Sequence, residues 1–373
     1  MSGSEGDRSA RNPARTLGDS MHAVVGELRA AGLSAAFSKV VGRIRRDLQM
    51  ARYDWNLRRL VRSPESVEID RPVFIVGVQG GGITLFARCF YRHPKVVYAT
   101  GNWRWWAGED EIHNSAHTVD ELPPAMAHRS YHFGNVDETV SDHPLFGYQR
   151  AWLYAIDEFL DEYRRTAGDV DDATREGFRR VIQKVVLAYA DDPDDCRFVD
   201  MSQLYTIQVP FVASMLAESN PHFVVTARNP YATVARAAAK EYTPDRGARI
   251  SEDSELRLRC AVEHWSNSYR LALESRDRVP MTVVRYEDFV RDPERVIRDV
   301  CTFADLPFDP RQVPGPGQTM PLGSIDADKW YPLKASENDR YLDRMPEGLV
   351  PLLNERAGDV IEALGYDLLP SDT

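Results

Sequence analysis

Cysteine is scarce in this chain of 373 residues. The four present (Cys89, Cys196, Cys260, Cys301) stand far apart, with no C-x-x-C pair and no cysteine/histidine ligand spacing. That excludes a disulfide framework and leaves no metal site to expect; the thiols read as reduced, in a cytoplasmic protein. Long apolar runs are missing too, since none approaches the roughly 20 residues that cross a bilayer. Met1–Asp19 is polar, so neither a membrane span nor a leader peptide is expected. Positive charge is in deficit: 46 Lys and Arg oppose 57 Asp and Glu, a formal charge of −11, which disfavours a nucleic-acid partner. What remains is ordinary for a globular protein, 43% hydrophobic and 28% charged. The chain is long enough for one large α/β domain, or two small ones, with an ample core.

Organisation follows from periodicity. Residues 1–16 are rich in Ser, Gly and Arg and read as a disordered tail, followed over 17–70 by basic amphipathic helices. Between Ser38 and Ser63, eight basic side chains face two acidic ones. Such a helix suits the anionic inner face of a membrane, or a solvated packing face. From residue 71 to 373, short apolar runs alternate with helical patterns. Val73–Val76, Val96–Tyr98, Arg197–Asp200, His222–Thr226 and Met281–Val284 suit buried parallel strands. Helices are expected near 83–91, 145–165, 173–190, 231–240, 252–276, 293–304 and 348–364. The 293–304 helix carries Asp292 to cap it and Pro293 at its first position. The fold class is therefore α/β, a parallel sheet flanked by helices, with a mostly helical insertion at about 101–195.

The most informative stretch is Phe74-Ile75-Val76-Gly77-Val78-Gln79-Gly80-Gly81-Gly82-Ile83-Thr84-Leu85. An apolar strand runs into a glycine cluster that opens a helix, so backbone N–H groups and the helix dipole converge on a phosphate-sized loop. The spacing fits the frame Gly-x-x-x-x-Gly-Lys-Ser/Thr, but Ile83 holds the lysine position. Without that cation, ordinary ATP or GTP hydrolysis is disfavoured while another phosphate-bearing nucleotide is admitted. A second phosphate site is marked by Phe223-Val224-Val225-Thr226-Ala227-Arg228-Asn229-Pro230, a strand ending in arginine, with Arg236 on the following helix. Arginines at the carboxyl end of a parallel strand sit where α/β sheets bind ligands, and two can clamp a phosphate.

These segments resemble the sulfotransferase family: Phe74–Leu85 its phosphosulfate-binding loop, and Val224–Arg236 its Arg-x-Pro segment for the 3′-phosphate. Val283-Val284-Arg285-Tyr286-Glu287-Asp288-Phe289-Val290-Arg291-Asp292-Pro293-Glu294, then Cys301–Phe308, resembles the family's “RYEDLVxDPE…FLGLPF” block, and Arg197–Asp200 its “DKxP” strand. The resemblance covers about 71–364. It implies a P-loop-like fold binding 3′-phosphoadenosine 5′-phosphosulfate (PAPS). The loop residues Gln79, Gly80, Gly81, Gly82, Ile83 and Thr84 would hold the phosphosulfate, Arg228 and Arg236 the 3′-phosphate, and Tyr286 would lie near the adenine. Sulfuryl transfer to a hydroxyl of a carbohydrate, glycolipid or small metabolite would follow.

The sequence departs from that pattern at four positions. Gly80 replaces a loop Lys or Arg, Met201 the strand lysine, Arg236 a serine, and Gly101 the glutamate of the tyrosylprotein-type branch. Substitutes are offered by Gly101–His113, where Arg104 among Trp103, Trp105 and Trp106 can supply a cation, and Asp110, Glu111 or His113 a base. His128, His132 and His143 form a further histidine group in the insertion. Two other readings remain: a degenerate sulfotransferase-like protein that binds nucleotide or glycan without turnover, and a P-loop phosphotransferase, which Ile83 disfavours.

Overall fold

The computed structural model describes residues 61–98, 154–239, 254–315 and 333–371, all within one compact unit, Asn56–Thr373. A five-stranded, all-parallel sheet lies at its centre in the order β2-β3-β1-β4-β5. The strands are β1 (Val73–Val76), β2 (Val96–Val97), β3 (Arg197–Asp200), β4 (His222–Ala227) and β5 (Met281–Arg285). The described helices of six or more residues are α1 (Ile83–Phe90), α2 (Asp172–Tyr189), α3 (Val209–Met215), α4 (Pro230–Ala238), α5 (Ser254–Leu273), α6 (Tyr286–Arg291), α7 (Pro293–Phe303) and α8 (Leu349–Ala363).

Why the strands are runs rather than alternations is visible in the core. Every residue of β1 and β4 is buried. Phe74 and Val76 point into one apolar layer with Phe198, Phe223 and Val225, against α2, α3, α4, α5 and α8. Val73 and Ile75 point into the other, with Val199, Met201 and Val224, against α1 and α7. Alternate side chains thus serve opposite helix layers, so both faces must be apolar. Phe74 is the hinge of the first layer, stacked on Phe223 at 5.7 Å and edge-on to Phe198 at 6.2 Å and Tyr205 at 6.0 Å.

The expected strands and helices are present with ends shifted by a few residues. α7 starts as its sequence indicates, with the Asp292 side chain accepting from the Arg295 amide and Pro293 at the first position. Three elements differ. The helix expected over 145–165 is, in its described part, a turn followed by a single helical segment, Leu160–Tyr163. α3 and α6 were not anticipated, α3 because its Val-Pro-Phe-Val start reads as a strand or breaker, α6 because its six residues are too short to show a period. The expected basic helices of 17–70 lie, up to residue 60, outside the described residues. No described helix is long and apolar enough to cross a membrane.

What positions the site is the pairing of β1 with β4. Phe74 lies beside Phe223 and Val76 beside Val225, so the residues that follow leave the same edge of the sheet together. Gly77 takes up the contact. Its φ is 153°, and a Cβ there would stand 2.5 Å from the Thr226 carbonyl oxygen and 2.6 Å from Thr226 Oγ1. The Gly77 amide donates to Thr206 Oγ1 at 2.8 Å, and the Thr206 hydroxyl donates back to the Gly77 carbonyl at 3.1 Å. Replacing Gly77 with alanine must push β1 off β4 or strain the turn, an expected loss of about 2–3 kcal/mol. A urea midpoint unchanged from wild type would show that the strand ends yield more easily than this packing implies.

Candidate active site

The glycine loop descends from β1 and ends on α1. Gly82 caps the helix with φ 89° and no side chain covers its first turn. Gly81 donates to the Val78 carbonyl at 3.0 Å and closes the bend. Among the described residues, no acceptor takes the amides of Gly82, Ile83 or Thr84. Three donors and the positive end of a helix therefore point into one place, the arrangement that binds anions. Ile83 turns its side chain inward, buried with Phe86 and Phe90, so only its backbone belongs to the loop's open face. Thr84 is half-buried and Gln79 partly exposed beside them.

Across from the loop stands the β4–α4 turn. Pro230 opens α4 and the Asn229 side chain accepts from the Ala232 amide, so the preceding residue, Arg228, projects from the strand tip. Arg228 is 5% exposed. Its Nη1 reaches the Gly80 carbonyl at 3.4 Å and its Nε donates to Asn338 Oδ1 at 2.6 Å. Its guanidinium lies 4.7 Å from the centre of the Tyr286 ring. Nη2 is buried and has no partner among the described residues. Burial pushes the Arg228 pKa below its ordinary value, Tyr286 opposes that shift, and neighbouring Arg236 adds to it. A buried guanidinium nitrogen left without an acceptor is costly, and an anion facing the loop would complete it.

The support beneath Arg228 was not visible in the sequence. Glu287 Oε1 accepts from Asn338 Nδ2 at 2.6 Å and from the Asn229 amide at 2.8 Å, and Oε2 accepts from the Tyr366 hydroxyl at 2.7 Å. Asn338 thus links a carboxylate to Arg228 without an ion pair between them. Tyr286 donates to the Lys334 carbonyl at 3.1 Å and lies against the loop: a Cβ on Gly82 would stand 2.7 Å from its ring. Tyr269 donates to the Thr226 carbonyl at 2.8 Å and backs Gly81. Burial raises the pKa of both tyrosines, so they act as neutral walls. Glu287 sits in a quoted motif, yet nothing in the sequence indicated that Asn338, about fifty residues on, would meet it.

The residues expected from the sequence divide into two sets. Gly80, Gly81, Gly82, Arg228, Arg236 and Tyr286 converge: a Cβ on Gly80 would stand 3.4 Å from Arg236 Nη1. Arg104, Asp110, Glu111 and His113 lie outside the described residues, as do Gly101, the three tryptophans and the histidines His128, His132 and His143. Met201 is fully buried among apolar neighbours of β1 and β4. Lys184, on α2, acts electrostatically on Glu65, ahead of β1 in the chain. Among the described residues no cluster of His, Cys, Asp or Glu has the makings of a metal centre.

Glu287→Ala leaves three donors facing a void. We expect a loss of about 3 kcal/mol in chemical denaturation together with loosening of Arg228; a variant as stable as wild type would remove Glu287 from this supporting role.

None of the curated proteins matches the chain. Among solved structures, the sulfotransferase domain of the curacin biosynthetic pathway is similar over 81% of this chain and 100% of that one, at 17% identity and TM-score 0.48. Sulfotransferase STF9 from Mycobacterium avium is similar over 98% of this chain and 99% of its own, at 11% identity and TM-score 0.47. The model described as “Sulfotransferase family” matches residues 72–310, a span that includes the glycine loop, Arg228 and Tyr286. The chain belongs to the sulfotransferase family.

Proposed function

We propose that this protein moves a sulfuryl group from 3′-phosphoadenosine 5′-phosphosulfate to a hydroxyl of a carbohydrate, glycolipid or other small metabolite. The observation that carries the reading is the meeting of Arg228 and Arg236 at Gly80. Two guanidinium groups and three open amides then share one concavity at the carboxyl edge of the sheet. Neither arginine has a carboxylate within ion-pair distance among the described residues, and Arg228 Nη2 lacks any partner there. A nucleotide with phosphates at both the 3′ and 5′ positions suits that set, with Tyr286 as a flat wall beside Arg228.

The donor, when bound, supplies an activated sulfuryl group. The chain's own part is to bind and align. The amides of Gly82, Ile83 and Thr84 hold the 5′ end, and Arg228, braced by Asn338 and Glu287, holds the 3′-phosphate. β2 runs parallel to β3 and β1, so the segment after Val97 leaves the sheet at the edge the glycine loop occupies. This supports a place for Trp103, Arg104, Trp105 and Trp106 beside the acceptor, and for Asp110, Glu111 or His113 as the base that takes the hydroxyl proton. Tryptophan faces suit sugar rings, which is the reason for naming carbohydrate first. The basic stretch 38–63 supports a contact with an anionic membrane, where a glycolipid acceptor would reside.

Calorimetry should detect adenosine 3′,5′-bisphosphate at micromolar Kd, with Arg228→Ala weakening it by roughly 50-fold or more. No heat at millimolar ligand would remove the donor assignment. Gly80 and Met201 favour a second reading, a protein that binds the nucleotide and transfers nothing. Labelled donor offered with a panel of glycans, glycolipids and phenols separates the two: sulfated product supports transfer, and tight donor binding without product supports the binder.

A further inference from the structure

We propose that Arg236 is the cation that neutralises the 5′-phosphate as it leaves, supplied from α4 in place of the basic residue that the glycine loop lacks. The inference rests on the sulfotransferase reading above and reassigns Arg236, which the resemblance groups with Arg228 at the 3′-phosphate.

The loop position that lacks a cation is Gly80, and the space beside it is filled. A Cβ built on Gly80 would find Arg236 Nη1 at 3.4 Å, Arg236 Cδ at 3.6 Å and Arg236 Cζ at 3.9 Å as its three nearest atoms. The direction in which a loop side chain would project is thus occupied by a guanidinium arriving from the opposite wall. Gly80 has φ 92°, a conformation that strains any side-chain-bearing residue. In this backbone, a long basic residue at position 80 would have to share that space with the Arg236 guanidinium. The chain carries the arginine on the helix.

Charge leads to the same place. Arg236 is half-buried, its guanidinium 5.9 Å from the centre of the Tyr341 ring. No hydrogen bond or ion pair engages it among the described residues. Arg228 lies close enough to be disfavoured by it electrostatically. Two like charges facing one loop repel, and a bound anion turns that cost into attraction. Among the described residues the other positions considered offer no cation there: Met201 is apolar and buried, and Lys184 lies near Glu65. The two arginines also differ in support. Arg228 is fixed through its Nε by Asn338, whereas Arg236 lies on the side-chain face of Gly80.

In the transfer, the bond between sulfur and the bridging 5′-phosphate oxygen breaks while a bond from sulfur to the acceptor oxygen forms. The hydroxyl proton passes to a base or to water. The electron pair of the broken bond stays on the phosphate oxygen, and the Arg236 guanidinium balances the charge that develops there.

The test is calorimetric, supplemented by displacement of labelled nucleotide where binding is weak. It uses adenosine 3′,5′-bisphosphate, adenosine 5′-monophosphate and adenosine 3′-monophosphate with the wild-type chain, Arg236→Ala and Arg228→Ala. Arg236→Ala should weaken the bisphosphate and the 5′-monophosphate by roughly 10- to 100-fold and leave the 3′-monophosphate within about threefold. Arg228→Ala should show the reverse pattern. A loss at the 3′-monophosphate as large as at the 5′, or no loss for any ligand, overturns the assignment. If the wild-type chain binds none of the three, the sulfotransferase reading itself fails. Arg236→Gln, close in size and uncharged, repeats the contrast should the alanine variant melt early.

Discussion

The site depends on how closely two parallel strands run as they end. β1 and β4 are neighbours in register, Val76 beside Val225, and the first residue beyond β1 must pass against the Thr226 carbonyl. Only glycine fits, because a Cβ at Gly77 would overlap two oxygens of Thr226. Thr206 then holds Gly77 through both its amide and its carbonyl. Once that contact is made, the loop from Gly80 to Gly82 has little choice of position. It lies opposite Arg228, which follows Thr226 by two residues. Hydrophobic packing above and below the sheet sets the register, and the register brings phosphate-binding amides to a buried guanidinium.

Holding Arg228 there has a cost. A guanidinium at 5% exposure loses most of its hydration. A direct ion pair would offset the loss and also occupy the nitrogens that face the loop. The protein instead places an amide between charge and counter-charge: Asn338 accepts from Arg228 Nε and donates to Glu287. Glu287 is in turn held by the Asn229 amide and Tyr366. The carboxylate therefore steadies the arginine from a distance, and Tyr286 supplies a π face at 4.7 Å. In a chain of net charge −11, the local positive field is kept by spacing acids one residue away from it.

Most of the architecture was legible because a parallel sheet covered on both faces makes its strands continuous apolar runs. Val73–Val76 and His222–Thr226 suit buried strands, and glycine or arginine signals follow closely on each. The amphipathic helices α2, α5 and α7 announce themselves by period and, for α7, by its Asp292-Pro293 start. α3 and α6 are too short or too ambiguous to carry a period, and the turn before Leu160 interrupts what looked like one long helix. Within the site, residues adjacent in sequence to a glycine or arginine signal were found. Asn338, Tyr341 and Tyr269 were not, since they reach it only through tertiary packing between residues far apart in the chain.

The instructive case is Gly80. Read along the chain, a glycine where a basic residue is expected is a deletion of charge. In space the position is not empty, because the volume beyond its α-carbon holds the Arg236 guanidinium. A site needs a cation at a place, and two walls border that place, so the residue can come from the loop or from the helix opposite. The two choices compete for one space: the glycine leaves room for the arginine, and the arginine removes the need for the lysine. The two departures from the family pattern, one apparent loss and one apparent gain, are then a single rearrangement.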